Sequence, residues 1–372
     1  MTLVATLALD NHPILIGDLL ISQMAHPADD PIALPTGVDD FRGKTRSIAG
    51  LDRKLTLISK RCVLGWACNN VETAKEVIES IRALESAGKL SVDSIDAAIK
   101  KHPRADHDRL SILGWYVEGD NLFGQITAHE IKYYATDGKS SAFTEVRAIG
   151  SGTKIFFETL ELLDATEYES IQPLDEVTAK RAQWLGRVFN LVGTLFAAEH
   201  RQGNLAKSLE MSFGGGYEIA LWEKGQFVFV SGYSITVWNA RVASEVTFTV
   251  PPLLVANMYY RDDFLIIDTD RLKDVRGNGV QLDAYRFILT PFAKSGANLS
   301  SAPPPRIEFH VHAIHATNEK NEVAIGSIVE FSGPEALPRA RLISLDKEKT
   351  AYSIEPDFAQ EMDHYTKRMF AS

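Results

Sequence analysis

Thr2 and Asp18 are the residues whose types and spacing first suggest chemistry. Thr2 follows Met1, and a side chain that small lets methionine aminopeptidase expose it. A free N-terminal threonine carries a hydroxyl nucleophile together with its own α-amine, whose ordinary pKa of about 8 suits a general base at neutral pH. Apolar alternation over residues 3–9, the turn-forming Asp10-Asn11-His12-Pro13 and then Ile14-Leu15-Ile16 read as a hairpin. Antiparallel partners keep a constant index sum, about 20–22 for a turn centred near Asp10-Asn11, which returns Asp18 to the side of residue 2. An acid is thereby expected beside a nucleophile.

Other chemistry-bearing residues are fewer. In a regular strand over residues 306–316, Glu308, His310 and His312 share one face and His315 points to the other. Two histidines and a glutamate are metal-ligand types. Their spacing to Glu319 does not fit a cupin metal motif, so a solvated strand face is expected, with no metal and no cofactor. Cys62 and Cys68 are the only cysteines, which excludes a disulfide framework and a Cys-rich zinc site and fits a reducing compartment. Gly277-Asn278-Gly279 reads as a hairpin turn. Gly214-Gly215-Gly216 precedes a strand, the wrong context for a phosphate-cradling loop that opens a helix.

The elements that must position these residues follow from periodicity. Lys54-Leu55-Thr56-Leu57-Ile58 and Cys62-Val63-Leu64-Gly65-Trp66-Ala67 make a second hairpin. Asn69 and Glu72 have capping-box spacing ahead of Val71, Ala74, Ile78, Ile81 and Leu84, a helical face that runs to Gly88. A second helix is expected over residues 92–101, then strands over 109–118, 121–127 and 143–149. Gly150-Ser151-Gly152 opens a helix with Phe156, Leu160 and Leu163 on one face, and a longer helix spans about 176–200. Strands are expected over about 217–222 and 227–237. Residues 22–50, with Pro27, Pro31, Pro35, Gly37 and Gly43, read as a functional loop or lid. Strands, two helices, strands, two helices and strands make an α+β four-layer αββα sandwich the economical arrangement over residues 1–240. Residues 241–372 read as a β-rich C-terminal domain, ending in an amphipathic helix with Phe358, Met362, Tyr365 and Met369 on one stripe.

Composition narrows the function classes. The 372 residues carry a net charge of −10, with 45% hydrophobic and 24% charged residues, as in an ordinary globular protein. An acidic chain lacks the counterion-release term of a nucleic-acid binder, so no nucleic-acid partner is expected. No stretch approaches a membrane-spanning length of about 18 apolar residues. The apolar start lacks a basic n-region and meets Asp10, so a cytoplasmic protein is expected.

Thr2-Leu3-Val4, Ile16-Gly17-Asp18, Lys54-Leu55-Thr56-Leu57-Ile58, Gly65-Trp66-Ala67 and Ala148-Ile149-Gly150-Ser151-Gly152 resemble proteasome β-type subunits. The resemblance covers roughly residues 2–240 and extends to the bacterial ancestral β-subunit (Anbu) type, which the closing segment from Asn204 through Trp222 resembles more than the eukaryotic one. It implies an N-terminal-nucleophile hydrolase in which Thr2 attacks a peptide or amide carbonyl and forms an acyl-threonine ester. It further implies that Lys54 sits beside Thr2, that Asp18 pairs with Lys54, and that Ser151 orients the amine. The oxyanion-hole glycine of the family falls at Cys68, which would act through its backbone N–H, and Trp66 falls where the family lines its specificity pocket. The family's acid–serine pair is not cleanly present; Glu199 is the first candidate for the acid and Glu210 the second. Homo-oligomers, as rings or helical stacks, are implied, and an ATPase partner is left open. Cys68 and the missing pair also leave room for a catalytically inactive structural or assembly protein.

Overall fold

The computed structural model describes residues 2–9, 12–24, 34–35, 46–120, 126–164, 176–202, 213–275, 279–292, 299, 301, 303–332, 337–344 and 350–371. β1 (Val4–Leu9) and β2 (His12–Asp18) form the expected hairpin, with Val4 opposite Gly17, an index sum inside the expected range. Its turn residues Asp10 and Asn11 lie outside the described set. β3 (Leu20–Met24) and β4 (Arg46–Leu51) form a two-stranded ribbon, so the base of the segment read as a patternless loop is sheet. Within that segment Leu34 and Pro35 are buried, and their carbonyls accept from Arg271 and Thr269.

β5 (Leu55–Ser59), β6 (Cys62–Ala67), β7 (Ser111–Asp120) and β8 (Ile126–Tyr133) form a four-stranded antiparallel sheet. Between them run α1 (Val71–Ser86) and α2 (Val92–Lys101), whose Ile78, Ile81, Ile95 and Ile99 are buried against Leu64 and Ile112. Asn70, rather than Asn69, caps α1, its Oδ1 accepting from Glu72 N–H. β9 (Thr136–Asp137) and β10 (Glu145–Ile149) precede α3 (Thr153–Asp164) and α4 (Glu176–Gln202). β11 (Tyr217–Glu223) and β12 (Gln226–Phe229) complete a six-stranded antiparallel sheet in the order β12-β11-β2-β1-β10-β9. Its Val4, Leu15 and Ala220 pack against Leu55, Val63 and Leu113 of the four-stranded sheet.

Beyond residue 230 the chain builds its largest sheet. β13 (Tyr233–Val242), β14 (Val246–Phe248), β15 (Leu254–Arg261), β16 (Phe264–Val275), β17 (Gly279–Leu289), β18 (Phe309–Asn318) and β19 (Val323–Phe331) pair antiparallel, except that β13 and β18 run parallel. The strand expected over 227–237 is thus two strands in two sheets, β12 and β13. Sheet membership changes at residues 230–232, ahead of the boundary expected at 240. The ribbon β20 (Ala340–Ser344) and β21 (Thr350–Ile354) and the helix α5 (Pro356–Arg368) follow, with Phe358 and Met362 buried on Trp238 and Ile314.

The four-layer αββα sandwich with a β-rich extension is therefore not the architecture of this chain. Strands predominate over the five helices among the described residues, and they are divided among several sheets. The finding that overturns the expected layering is α4, which lies beneath the seven-stranded sheet instead of forming an outer layer. Residues 191–199 of α4 are all buried, and a helix apolar on every side belongs inside a protein. Gly193 allows the close approach, since a Cβ there would lie 2.5 Å from Val311 and 2.7 Å from Ser327. Ser327 Oγ in turn donates to Asn190 O at 2.8 Å. One apolar cluster consequently runs from Leu3 and Ile16 through Phe189 and Phe196 to Val311 and Ala313. Among the described residues, no helix is long and apolar enough to cross a membrane.

Candidate functional site

Asp18 closes β2 against the start of β1. Its N–H donates to Leu3 O at 2.9 Å, and its Oδ1 accepts from Leu3 N–H at 3.0 Å. Lys54, immediately before β5, reaches across from the other sheet: Nζ lies 2.6 Å from Asp18 Oδ1 and 2.5 Å from Leu20 O. Both side chains are fully buried. Gly214 N–H donates to the second carboxylate oxygen of Asp18 at 2.8 Å. Burial pushes the Asp18 carboxyl up and the Lys54 ammonium down from their ordinary values, and each partner's charge opposes the shift in the other. Besides each other, the two side chains have three backbone partners, the N–H groups of Leu3 and Gly214 on Asp18 and the carbonyl of Leu20 on Lys54, as a buried ion pair requires.

Thr2 is 1% exposed and wrapped by the turn that opens α3. Its N–H donates to Ser151 Oγ at 3.2 Å, while Gly152 N–H donates to Thr2 O at 3.2 Å. Gly150 has φ +94°, and a Cβ there would fall 2.0 Å from Thr2 O, so only glycine admits this contact. Thr2, Asp18, Lys54 and Ser151 therefore meet at one place: Ser151 on Thr2, Asp18 on the next residue, and Lys54 on Asp18. Among the described residues, no hydrogen bond joins Thr2 Oγ1 directly to Lys54.

Glu199 of α4 lies one peptide away from Asp18. Its Oε2 accepts from Gly215 N–H at 3.2 Å and its Oε1 accepts from the Tyr217 hydroxyl at 2.7 Å. Successive N–H groups, of Gly214 and Gly215, are thus divided between two buried carboxylates. A Cβ on Gly214 (φ +118°) would approach Glu199 Cδ to 2.4 Å. Glu199 supports the loop that binds Asp18. Glu210 lies outside the described residues. Tyr217 was missed in the sequence, although β11 pairs with β2 and sets Tyr217 directly opposite Asp18. Burial pushes its hydroxyl well above the ordinary tyrosine range, and Glu199 adds to that.

Of the two residues near β6 expected at the site, Trp66 is enclosed, and Cys68, expected to act through its backbone N–H, is half-buried. Trp66 is 1% exposed and stacked on Phe292, ring centroids 4.6 Å apart, among the residues that α1 covers. It is a core aromatic. Cys68 is half-buried; its thiol donates to Asp108 O at 3.3 Å, and burial pushes its pKa up, away from a reactive thiolate.

The histidine strand is also corrected. His310 and His312 share a face, but that face is buried beneath the β20–β21 ribbon and α5 instead of solvated. Ser234 Oγ and Ser332 Oγ lie 2.8 and 3.1 Å from the two ring nitrogens of His310. Trp238 Nε1–H donates to His312 Nδ1 at 3.2 Å. Among the described residues, no group of three or more His, Cys, Asp or Glu side chains is arranged to hold a metal ion.

A network that periodicity did not reveal flanks Lys54. Arg53, 2% exposed, donates from Nε to Glu218 Oε1 at 2.6 Å and stacks on Phe229 and Tyr260, and the Tyr260 hydroxyl donates to the same Glu218 oxygen at 2.8 Å. It fixes the segment that carries Lys54 to β11 and β15. No protein-family model matches this sequence, and no curated protein is similar to it.

Proposed function

We propose that the protein is a threonine-type N-terminal-nucleophile peptidase or amidohydrolase of the proteasome β-type kind, working in the cytoplasm. The observation that carries this reading is that Ser151 and Asp18 bond Thr2 and Leu3, the two residues ahead of β1, while Lys54 pairs with Asp18 from 36 positions away in sequence. Removal of Met1 turns the Thr2 N–H that now donates to Ser151 into an amine. Thr2 Oγ1 then attacks an amide carbonyl; the amine, through a water, takes the hydroxyl proton and passes it to the substrate nitrogen, which departs as an amine when the C–N bond breaks and leaves the acyl-threonine ester. The Lys54 ammonium favours the neutral amine and the alkoxide, and Asp18 holds Lys54 in place. Water hydrolyses the acyl-threonine ester and restores the site. Peptides or amides are the substrates, and self-association into rings or helical stacks belongs to the same reading.

The near-complete burial of Thr2 and the missing Thr2–Lys54 hydrogen bond favour a second reading, an inactive structural or assembly protein. Intact mass separates the two. The enzyme must have lost Met1 and carry a free amine on Thr2, and a retained Met1 or an acetylated Thr2 excludes it. In a processed protein, Thr2→Ala and Lys54→Ala are each expected to reduce hydrolysis of fluorogenic peptide amides by about 1,000-fold or more, by analogy with removal of other activated nucleophiles. Equal rates in wild type and both variants would move the chemistry elsewhere.

A further inference from the structure

One strand holds both halves of the Asp18–Lys54 pair. On β11, Tyr217 stands opposite Asp18 and Glu218 opposite Gly17, so the two β11 side chains leave opposite faces of the sheet. The Tyr217 hydroxyl donates to Glu199, which supports the loop that binds Asp18. Glu218 reaches the segment that carries Lys54 and bonds the residue on either side of it. Its Oε1 accepts from Arg53 Nε at 2.6 Å, and its Oε2 accepts from Leu55 N–H at 3.4 Å. Gly17 leaves room for that segment, since a Cβ there would lie 2.7 Å from Leu55 Cδ2. Between its two anchored neighbours, Lys54 places Nζ 2.6 Å from Asp18 Oδ1.

The clamp is completed from the seven-stranded sheet. The β15–β16 hairpin brings the Tyr260 hydroxyl to Glu218 Oε1 at 2.8 Å and the Asp263 carbonyl to Arg53 Nη1 at 2.5 Å. Burial, with Glu218 beside it, pushes that hydroxyl well above the ordinary tyrosine range, so it stays protonated and donates. Arg53 and Glu218 are almost wholly buried. A buried ion pair often stabilises a fold no better than apolar side chains of the same volume. We propose that what this one adds is geometry: Glu218 is a positioning residue for Lys54, locked by Tyr260, and the seven-stranded sheet is thereby part of the hydrolytic site.

The inference rests on the peptidase reading above, and its test separates the two. In the full chain with Met1 removed, Glu218→Gln is expected to lower kcat on fluorogenic peptide amides about tenfold or more and to change KM by less than about twofold. A misplacement of about 1 Å at a reacting centre costs as much as about 100-fold. Tyr260→Phe deletes a single hydroxyl and should lower kcat about threefold; it decides the matter where Glu218→Gln is too unstable to assay. The variant Arg53→Met/Glu218→Leu/Tyr260→Phe replaces the network with apolar groups. It should melt within about 5 °C of wild type and still show the loss in kcat. Recovery of kcat along with the melting temperature would mark a purely structural pair and overturn the proposal. Glu330→Gln, which alters a buried carboxylate at a different cluster, should leave kcat unchanged, and a loss equal to that of Glu218→Gln overturns the proposal too. Wild-type kcat in both Glu218→Gln and Tyr260→Phe overturns it while the peptidase reading stands. Unchanged rates in Thr2→Ala and Lys54→Ala overturn both.

Discussion

The polar cluster at the start of β1 and the one on the outer face of the seven-stranded sheet are buried to a similar degree, yet they are satisfied by different means. At the first, a full ammonium–carboxylate pair is held by the N–H groups of Leu3 and Gly214 and the carbonyl of Leu20. At the second, His310 sits between two serine hydroxyls, and burial holds it at a pKa of about 4, so it is neutral at physiological pH. Glu330, 3.6 Å from His312, balances a burial cost against His312 and Arg339 N–H and ends below the usual carboxylate range. A site meant to stabilise developing charge needs the first kind of arrangement; a neutral, fully bonded histidine serves packing. Residue types suggested chemistry at both places, and only the partners tell them apart.

The largest effect that tests this contrast is Lys54→Met. It strands the Asp18 carboxylate in the core and is expected to cost about 3–5 kcal/mol in urea unfolding. The double variant Lys54→Met/Asp18→Asn should recover more than about 1 kcal/mol of that, and no recovery would mean that the pair is not coupled.

Next comes pH. His310 has a folded pKa of about 4 against the ordinary 6.5, so the unfolded chain binds the extra proton between those values. Its contribution is complete above pH 6.5 and is lost as the pH falls toward 4, by at most about 3 kcal/mol. His310→Gln, which keeps hydrogen-bonding capacity toward both serines, should flatten the melting-temperature profile over that window.

Smaller is Tyr217→Phe, which takes one donor from Glu199 and is expected to cost about 2 kcal/mol. If Glu199 supports the Asp18 loop, the same variant also lowers turnover. Ser332→Ala, at the neutral cluster, should cost about 1 kcal/mol and leave turnover unchanged. Activity lost through Ser332 would break the comparison.

Much of the first half was legible because the relevant interactions are local. The β1–β2 register follows from one turn, α2 occupies the expected residues 92–101, and the stripe of α5 buries Phe358 and Met362 as its spacing requires. The meeting of Lys54 with Asp18 came from resemblance; no periodicity relates two strands in different sheets. The role of Trp66 depended on Phe292, more than 200 positions away, and was not readable from its neighbours.

By itself the sequence determined where strands turn and helices begin, since apolar period, capping side chains and glycines with positive φ act within a few residues. Tertiary structure alone decided that α4 lies under a second sheet, that β13 and β18 run parallel, and that His310 is enclosed. Each of these depends on burial against partners distant along the chain, and the free energy of that burial is set by which surfaces meet.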